Sequence, residues 1–327
     1  MNLTADSQAM LLLCSRLGLS DEAGPKSLTL REWNRLAARL LDSSLKTPGA
    51  LLGLSGADLK AELALSDAEA ERLALLMDRG GGLAIELDRL ESLGIWVVTR
   101  ADAAYPPPLK RRLKHRAPAV LFGAGEQALL GQPGVAVVGS RNVDDRGKAC
   151  ADFIGNACAL DGLVLYSGGA RGVDRIATQA ALEARGTAVS VLSHGLERAI
   201  RAVDARPRLV RGDLALVTPY VPHAGFSAGA AMGRNKLIYA LADYALVIAS
   251  DVGKGGTWGG ATQALRGKWL PVFVLDGPDV PEGNRQLLQK GAMPFPDSLL
   301  THSLNLRDWL KAQTDNLAPE PIQPRLL

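Results

Sequence analysis

Several features that assign a protein to a class at first sight are scarce in this sequence. It has only three cysteines, Cys14, Cys150 and Cys158, and no CxxC pair, which argues against a disulfide framework and against a zinc site. No apolar run approaches the roughly 20 residues that a membrane span needs, and the N-terminus lacks the basic start and long apolar core of a signal peptide. We therefore expect a cytoplasmic protein with no bound metal and no membrane contact.

A strong excess of charge of one sign is also missing. The 37 Lys and Arg residues nearly balance the 34 Asp and Glu residues, so the formal net charge is only +3. Because the total says little about partners, the distribution of charge matters more. Basic residues are concentrated in residues 100–116 and again in residues 198–211. The first of these stretches fits either a solvated helix face or a rim that faces phosphates.

What the sequence does contain is a repeated pattern, in which a short apolar run is followed by a glycine-rich loop and then by a helical stretch. The apolar runs are Val135–Val138, Leu163–Tyr166 and Tyr244–Ala249, and each predicts a buried parallel strand. The carboxyl ends of parallel strands line one crevice, and a glycine-rich turn before a helix favours anions. The candidate binding residues in these loops are Gly139, Ser140, Arg141, Ser167, Gly168, Gly169, Arg171, Gly172, Lys254, Gly255, Gly256 and Thr257.

A further candidate is the triplet Arg234, Asn235 and Lys236. It follows an irregular segment at 219–232 and precedes a helical pattern at 237–242, so we expect it at a helix start, where bound anions are favoured. His194 lies at the end of another predicted strand. It fits either a structural hydrogen bond or a direct ligand contact.

The pattern along the chain predicts an α/β protein with two folded parts. Residues 1–82 have apolar residues at helical spacing, including a capping box from Ser66 to Glu69, and end in Gly80-Gly81-Gly82, which we expect to break the helical pattern. Residues 83–311 alternate strands and helices, as expected for a domain with a doubly wound, mostly parallel sheet. Residues 312–327 contain three prolines and predict a flexible tail.

Taken together, these blocks resemble the DprA/Smf family of DNA-processing proteins over roughly residues 90–297. The resemblance implies an extended Rossmann-like core that binds single-stranded DNA without catalysis or a cofactor. It further implies a homodimer, and a RecA-type recombinase as partner in DNA-mediated transformation and recombination. The binding positions that it implies are Arg141, the loop 167–172, and Arg234 to Lys236. The matching blocks are VAVVGSR, SGGARGVDRIATQAAL, VLSHGL, GRNKLIYALADYALVIAS, KGGTWGGATQAL and GNRQLLQKGA.

The chain departs from the family pattern at four places. Ala231-Met232-Gly233 stands where the family has an aromatic-proline pair, and Ala177-Thr178 stands where it has Ala-His. The turn from Lys254 to Gly260 carries Trp258, a form associated with a divergent DprA-like branch. The residues after Lys311 are too few for the winged helix that ends many members.

Other function classes remain open at this point. Relatives that resemble the LOG phosphoribohydrolases carry a similar GGxGT turn, but N-glycosidic cleavage needs a carboxylate and the segment Thr257–Gln263 has none. Dinucleotide oxidoreduction is disfavoured because the first turn lacks GxGxxG and Tyr166 is followed by Ser167 instead of an acid. A sensor module of a phage-defence system is a third alternative. We also expect Gly139 and Gly168 to tolerate alanine poorly.

Overall fold

The computed structural model describes residues 3–19, 24–301 and 304–315. The chain divides into two compact units. The first comprises Met1–Gly131 and Val189–Leu241, and the second comprises Gln132–Ala188 and Ala242–Leu327. This division does not coincide with the domain boundaries predicted after residues 82 and 311. Those boundaries stay predictions, and most of the tail predicted at 312–327 lies outside the described residues.

The secondary structure alternates helices and strands, as predicted for an α/β protein. The strands are β1 (Ile95–Thr99), β2 (Val120–Gly125), β3 (Gly134–Val138), β4 (Val164–Ser167), β5 (Ala188–Val191), β6 (Leu214–Thr218), β7 (Tyr244–Val247), β8 (Val272–Asp276) and β9 (Met293–Pro296). The α-helices are α1 (Ala5–Cys14), α2 (Leu30–Asp42), α3 (Gly56–Leu63), α4 (Asp67–Met77), α5 (Gly80–Ser92), α6 (Pro107–Leu113), α7 (Asp145–Leu160), α8 (Val173–Glu183), α9 (Leu196–Ala199), α10 (Arg206–Arg211), α11 (Ala228–Leu241), α12 (Gly255–Gly267), α13 (Glu282–Gln289) and α14 (Leu306–Asp315).

The N-terminal helices of the first unit enclose an apolar core. Capping boxes at Thr29, Ser55 and Ser66 open α2, α3 and α4, and the last of these confirms the capping box read from the sequence. Trp33 and Leu73 are among the buried residues that form this core. Helix starts are therefore encoded locally, while the buried apolar stripe holds the helices together.

The predicted break in the helical pattern lies just before the glycine triplet at residues 80–82, since α4 ends at Met77 and α5 begins at Gly80; the prediction was wrong only in placing the break at the triplet itself. The triplet forms the first turn of α5. Gly82 is needed there for close packing, because a Cβ placed on it would lie 2.7 Å from the carbonyl oxygen of Gly18. Contact with another segment thus outweighs the low helix propensity of glycine.

The first unit contains β1, β2, β6 and nearly all of β5. Their order in the sheet is β1-β2-β6-β5. The pairs β1–β2 and β2–β6 are antiparallel, with Ile95 opposite Ala124 and Phe122 opposite Thr218.

The second unit contains five strands in the order β4-β3-β7-β8-β9, and every neighbouring pair is parallel. Numbered within the unit, this order is 2-1-3-4-5, which is one of the two common orders of doubly wound sheets. The predicted fold class is confirmed. In such a sheet the order reverses between β3 and β7, and ligands bind in the crevice at the carboxyl ends of those strands.

Strand β9 was not predicted from the sequence. It reads Met293-Pro294-Phe295-Pro296, and prolines argue against a central strand. Here β9 lies at the end of the strand order, where a missing backbone N–H is tolerated. Its Phe295 is buried against Trp309 with the ring centroids 5.0 Å apart.

Candidate nucleic-acid interface

Three loops meet at the carboxyl edge of the second unit. We call them the edge loops; they comprise residues 139–144 after β3, 168–172 after β4 and 248–257 after β7. The Thr257 hydroxyl donates to the carbonyl of Gly139 at 3.2 Å, and the Val173 N–H, just beyond the second loop, donates to the carbonyl of Ser140 at 3.3 Å. The structure therefore brings together the three loops that the sequence placed at one crevice.

The backbone of the second edge loop requires glycine at specific positions. Gly172 has φ +86°, and a Cβ at this residue would lie 2.4 Å from the carbonyl oxygen of Ser140. A Cβ at Gly139 would lie 2.5 Å from the Val173 side chain. The predicted sensitivity of Gly139 to alanine thus has a steric basis. In the loop after β4 the glycines with positive φ are Gly169 and Gly172 instead of Gly168.

Asp174 organises the same loop from within the protein. Its buried carboxylate accepts the N–H of Gly168 at 3.1 Å and that of Ala170 at 3.4 Å. This agrees with the interpretation of Asp174 as a residue of the helix start. Ser167 is also buried, and its hydroxyl donates to the carbonyl of Val137 at 2.7 Å. Of the predicted binding residues in this loop, Arg171 is an exposed cation, and its Nη2 donates to Asn142 Oδ1 at 3.3 Å.

The helices that follow the edge loops differ in how their N-termini are satisfied. In α7 the Asp144 side chain accepts the N–H of Gly147 at 2.8 Å, so the protein supplies its own anion. Helix α12 has 13 residues and begins after Lys254, which makes no side-chain cap. Orphan N–H groups and the positive end of the helix dipole therefore favour an anion at α12.

Three cations at this edge are exposed and make no hydrogen bond or ion pair with any residue that the structure describes. They are Arg141, Arg175 and Lys254. Free cations beside an uncapped helix terminus attract a polyanion. The edge can therefore bind phosphates through side chains and through backbone N–H groups.

Asn284 positions one of the edge loops, a role that sequence reasoning missed. This fully buried side chain donates to the carbonyls of Ile248 and Leu275 at 2.9 Å each, and it accepts the N–H of Ser250 at 2.9 Å. It thereby joins the ends of β7 and β8. Asn284 is part of the sequence block GNRQ, but the sequence does not show which backbone groups a single asparagine side chain hydrogen-bonds.

The triplet Arg234, Asn235 and Lys236 lies in the first unit, and its predicted place at a helix start is wrong. Helix α11 begins at Ala228, so the triplet sits inside the helix and no anion site of a helix terminus is available to it. The reason is a local cap that the sequence interpretation overlooked, since the Ser227 hydroxyl accepts the N–H of Ala230 at 3.0 Å. Arg234 is only 5% exposed.

Lys236 is engaged with the first basic stretch. Its ammonium donates to the carbonyl of Arg116 at 3.1 Å, and burial together with the positive charge of Arg116 lowers its pKa. Arg112 donates to the carbonyl of Ala240 at 3.0 Å. The Arg112 side chain and the Arg116 carbonyl thus contact α11, while Lys110, Arg111, Lys114 and His115 remain exposed. Phosphate contacts by the triplet stay a prediction.

His194 is half-buried, and its Nδ1 lies 2.8 Å from the carbonyl oxygen of Gly195. This hydrogen bond favours the structural one of the two roles left open by the sequence.

Within residues 3–19, 24–301 and 304–315, no group of three or more His, Cys, Asp or Glu side chains is placed to hold a metal ion. In the same ranges no helix is long and apolar enough to span a membrane.

A family model described as DNA recombination-mediator protein A matches residues 96–302, more than half of the chain. The chain belongs to this family. Members among the curated proteins include protein Smf of Escherichia coli, 29% identical over 229 residues, and the DNA processing protein DprA of Streptococcus pneumoniae, 30% identical over 197 residues. The first match covers 67% of this chain and 59% of the Smf protein, and the second covers 58% and 67%. The chain therefore spans about three fifths of the length of the Smf relative.

Solved structures of the family have the same fold. The X-ray structure of DprA from Streptococcus pneumoniae superposes with a TM-score of 0.66 at 22% identity, covering 93% of this chain and all of that one. A DprA structure from Helicobacter pylori has a TM-score of 0.53 at 24% identity and covers 68% of this chain and 96% of that one. The Helicobacter pylori structure concerns the single-stranded DNA binding mode of that protein. At these identities the likeness shows the fold.

Proposed function

We propose that this DNA-processing family member binds single-stranded DNA at the edge loops and holds it without breaking a bond. The observation that carries the proposal is the convergence of three contacting loops with Arg141 and Lys254, which are exposed and have no ionic or hydrogen-bonding partner among the described residues, beside the uncapped start of α12. The described single-strand binding of the Helicobacter pylori relative supports the same ligand class. Recombination, transformation and phage defence are the processes in which such a binder acts.

The chemistry of the edge suits binding better than hydrolysis. N-glycosidic cleavage needs a carboxylate that supports positive charge on the sugar, and α12 carries none between Gly255 and Gly267. The buried carboxylate of Asp174 already accepts two backbone N–H groups. Phosphates of a strand would instead contact the first N–H groups of α12 and the side chains of Arg141 and Lys254.

Salt dependence of binding tests this proposal directly. We expect Arg141→Gln and Lys254→Gln each to weaken binding of a labelled oligothymidylate and to flatten the log–log salt slope by about 0.7, the value for one single-strand phosphate contact. The measurement is fluorescence anisotropy over a salt series. Arg185→Gln is the matched control, because Arg185 is exposed at the opposite end of α8 in the same unit. Equal effects of all three variants would contradict the proposed site.

The hydrolytic alternative is tested by incubating the protein with nucleoside monophosphates and measuring free base. We expect no release above the uncatalysed rate. Release at enzyme-like rates would overturn the bond-preserving function. A RecA-type recombinase partner and a homodimer remain proposals that rest on the family alone. Co-sedimentation with a recombinase filament and sedimentation equilibrium of the protein test them.

A further inference from the structure

The second basic stretch of the sequence has no part in the proposed site. Residues 198–211, which we call the arginine segment, run from α9 through α10 in the first unit. The segment contains five arginines and no lysine: Arg198, Arg201, Arg206, Arg208 and Arg211. Arginine binds phosphate with a planar fork and also stacks on flat rings, which lysine does not. Arginines of this segment that are free can therefore contact a ligand that offers both groups.

Two of these arginines hold the segment in place. Arg208 and Arg211 lie 3.5 and 3.1 Å from the Asp213 carboxylate. Leu209 packs on the end of β2, where a Cβ placed on Gly125 would lie 2.8 Å from its Cδ2. The segment is thus anchored to the sheet of its own unit, and these residues are structural.

The other three arginines face solvent. Arg198, Arg201 and Arg206 are exposed and make no hydrogen bond or ion pair with any residue in the described ranges. The N–H of Arg201 bonds the carbonyl of Arg198, so these two side chains come from one turn. Of the neighbouring acids, Glu197 pairs with Arg89 at 2.6 Å and Asp204 is exposed. The segment therefore presents a net positive surface.

Apolar side chains lie among these free cations. Val203 is 91% exposed and Val210 is 83% exposed. Val210 follows Arg206 by four residues, so both lie on one face of α10. A duplex presents phosphates but keeps its base faces stacked, whereas an unpaired strand offers phosphates and base faces together. Free arginines interspersed with exposed valines match the unpaired strand.

We propose that the arginine segment is a second contact for single-stranded DNA, in which Arg198, Arg201 and Arg206 bind phosphates and Val203 and Val210 cover base faces. The inference rests on the proposed function, because it assigns another contact to the same ligand. It adds a surface in the first unit to the contacts that the edge loops make in the second unit.

The experiment compares oligothymidylates of about 10 and about 40 nucleotides, together with a duplex of the longer length, by anisotropy over a salt series. The triple variant Arg198→Gln, Arg201→Gln, Arg206→Gln should flatten the slope for the long strand by about 2, and by less for the short strand, which has fewer phosphates to share between two surfaces. The matched control is the triple variant Lys26→Gln, Arg31→Gln, Arg35→Gln, which removes three other exposed cations of the same unit. This control should leave the salt slopes of both strands unchanged.

A second variant tests the valines apart from charge. Val203→Ser with Val210→Ser should weaken binding of the long strand at least about threefold, with the same salt slope and unchanged duplex affinity. The inference is overturned if the arginine triple behaves like its control, or if duplex and single strand lose affinity equally. Failure of the triple alone, with Arg141→Gln and Lys254→Gln still effective, leaves the edge-loop function standing. A wild-type protein that binds no single strand overturns both.

Discussion

The edge loops of the second unit and helix α11 of the first unit carry the same kinds of cation in opposite surroundings. Arg141 and Lys254 are exposed and their side chains make no hydrogen bond or ion pair with a described residue, whereas Arg234 is buried and Lys236 donates to a carbonyl of its own unit. A free cation can neutralise a phosphate, but a buried one contributes first to the packing of the protein. The difference teaches that a basic motif does not by itself identify a binding surface.

This comparison predicts its largest effect at Arg234. Replacing this long buried side chain in Arg234→Ala leaves a cavity, so we expect the free energy of unfolding to fall by about 2–4 kcal/mol. Arg141→Ala removes an exposed side chain and should change the free energy of unfolding by no more than about 0.5 kcal/mol. Urea denaturation monitored by circular dichroism measures both. A larger loss for Arg141→Ala would reverse the comparison.

An intermediate effect is expected at Gly172 in the edge loops. Gly172→Ala must adopt φ +86° with its Cβ 2.4 Å from a carbonyl oxygen, so we expect about 1–3 kcal/mol of destabilisation. Because the loop must shift, single-strand affinity should fall as well. Gly253→Ala is the control, since Gly253 also has positive φ, +70°, but nothing lies within 4 Å of the added Cβ. If the two variants bind DNA equally, the close approach at Gly172 is not needed for the site.

The smallest effect concerns a paired charge in the first unit. Glu32 accepts hydrogen bonds from Arg72 and from the Thr29 N–H, which lower its pKa to about 2 from 4.5. The resulting stability is present above pH 4.5 and is lost as the pH falls towards 2. The pair is about one third exposed, so we expect no more than about 1 kcal/mol.

Acid titration of the unfolding free energy tests this last prediction. The difference between the wild type and Glu32→Gln should shrink as the pH is lowered from 5 towards 2. Glu71→Gln is the control, because Glu71 is exposed and has no described partner. A pH-independent difference for Glu32→Gln would show that the hydrogen bonds from Arg72 and Thr29 do not set the acid stability.

Much of the fold could be predicted because its signals are local. Strands β3, β4 and β7 form at the three predicted apolar runs, with bounds that differ from the prediction by one or two residues. An apolar run that ends at a glycine or polar loop specifies such strands without knowledge of the rest of the chain. The convergence of the edge loops also followed, because parallel strands place their carboxyl ends at one edge.

The errors occur where a distant contact or an unrecognised cap decides the structure. Gly82 lies within a helix, where glycine is disfavoured, because it packs too closely on Gly18 for a side chain. Helix α11 begins at Ala228 because Ser227 caps it. The prolines of β9 are acceptable only because that strand ends the sheet order of its unit. Asn284 could not be assigned because its three backbone partners come from different strands and loops.

The sequence by itself determined the alternation of strands and helices, the glycine-rich loops after β3, β4 and β7, and membership of the family, since these depend on local pattern. Tertiary structure alone decided which cations are free. Arg234 and Arg141 have the same side chain, but burial of one and exposure of the other depend on packing between segments distant in sequence. Charge is written in the sequence, whereas its availability to a ligand is a property of the folded surface.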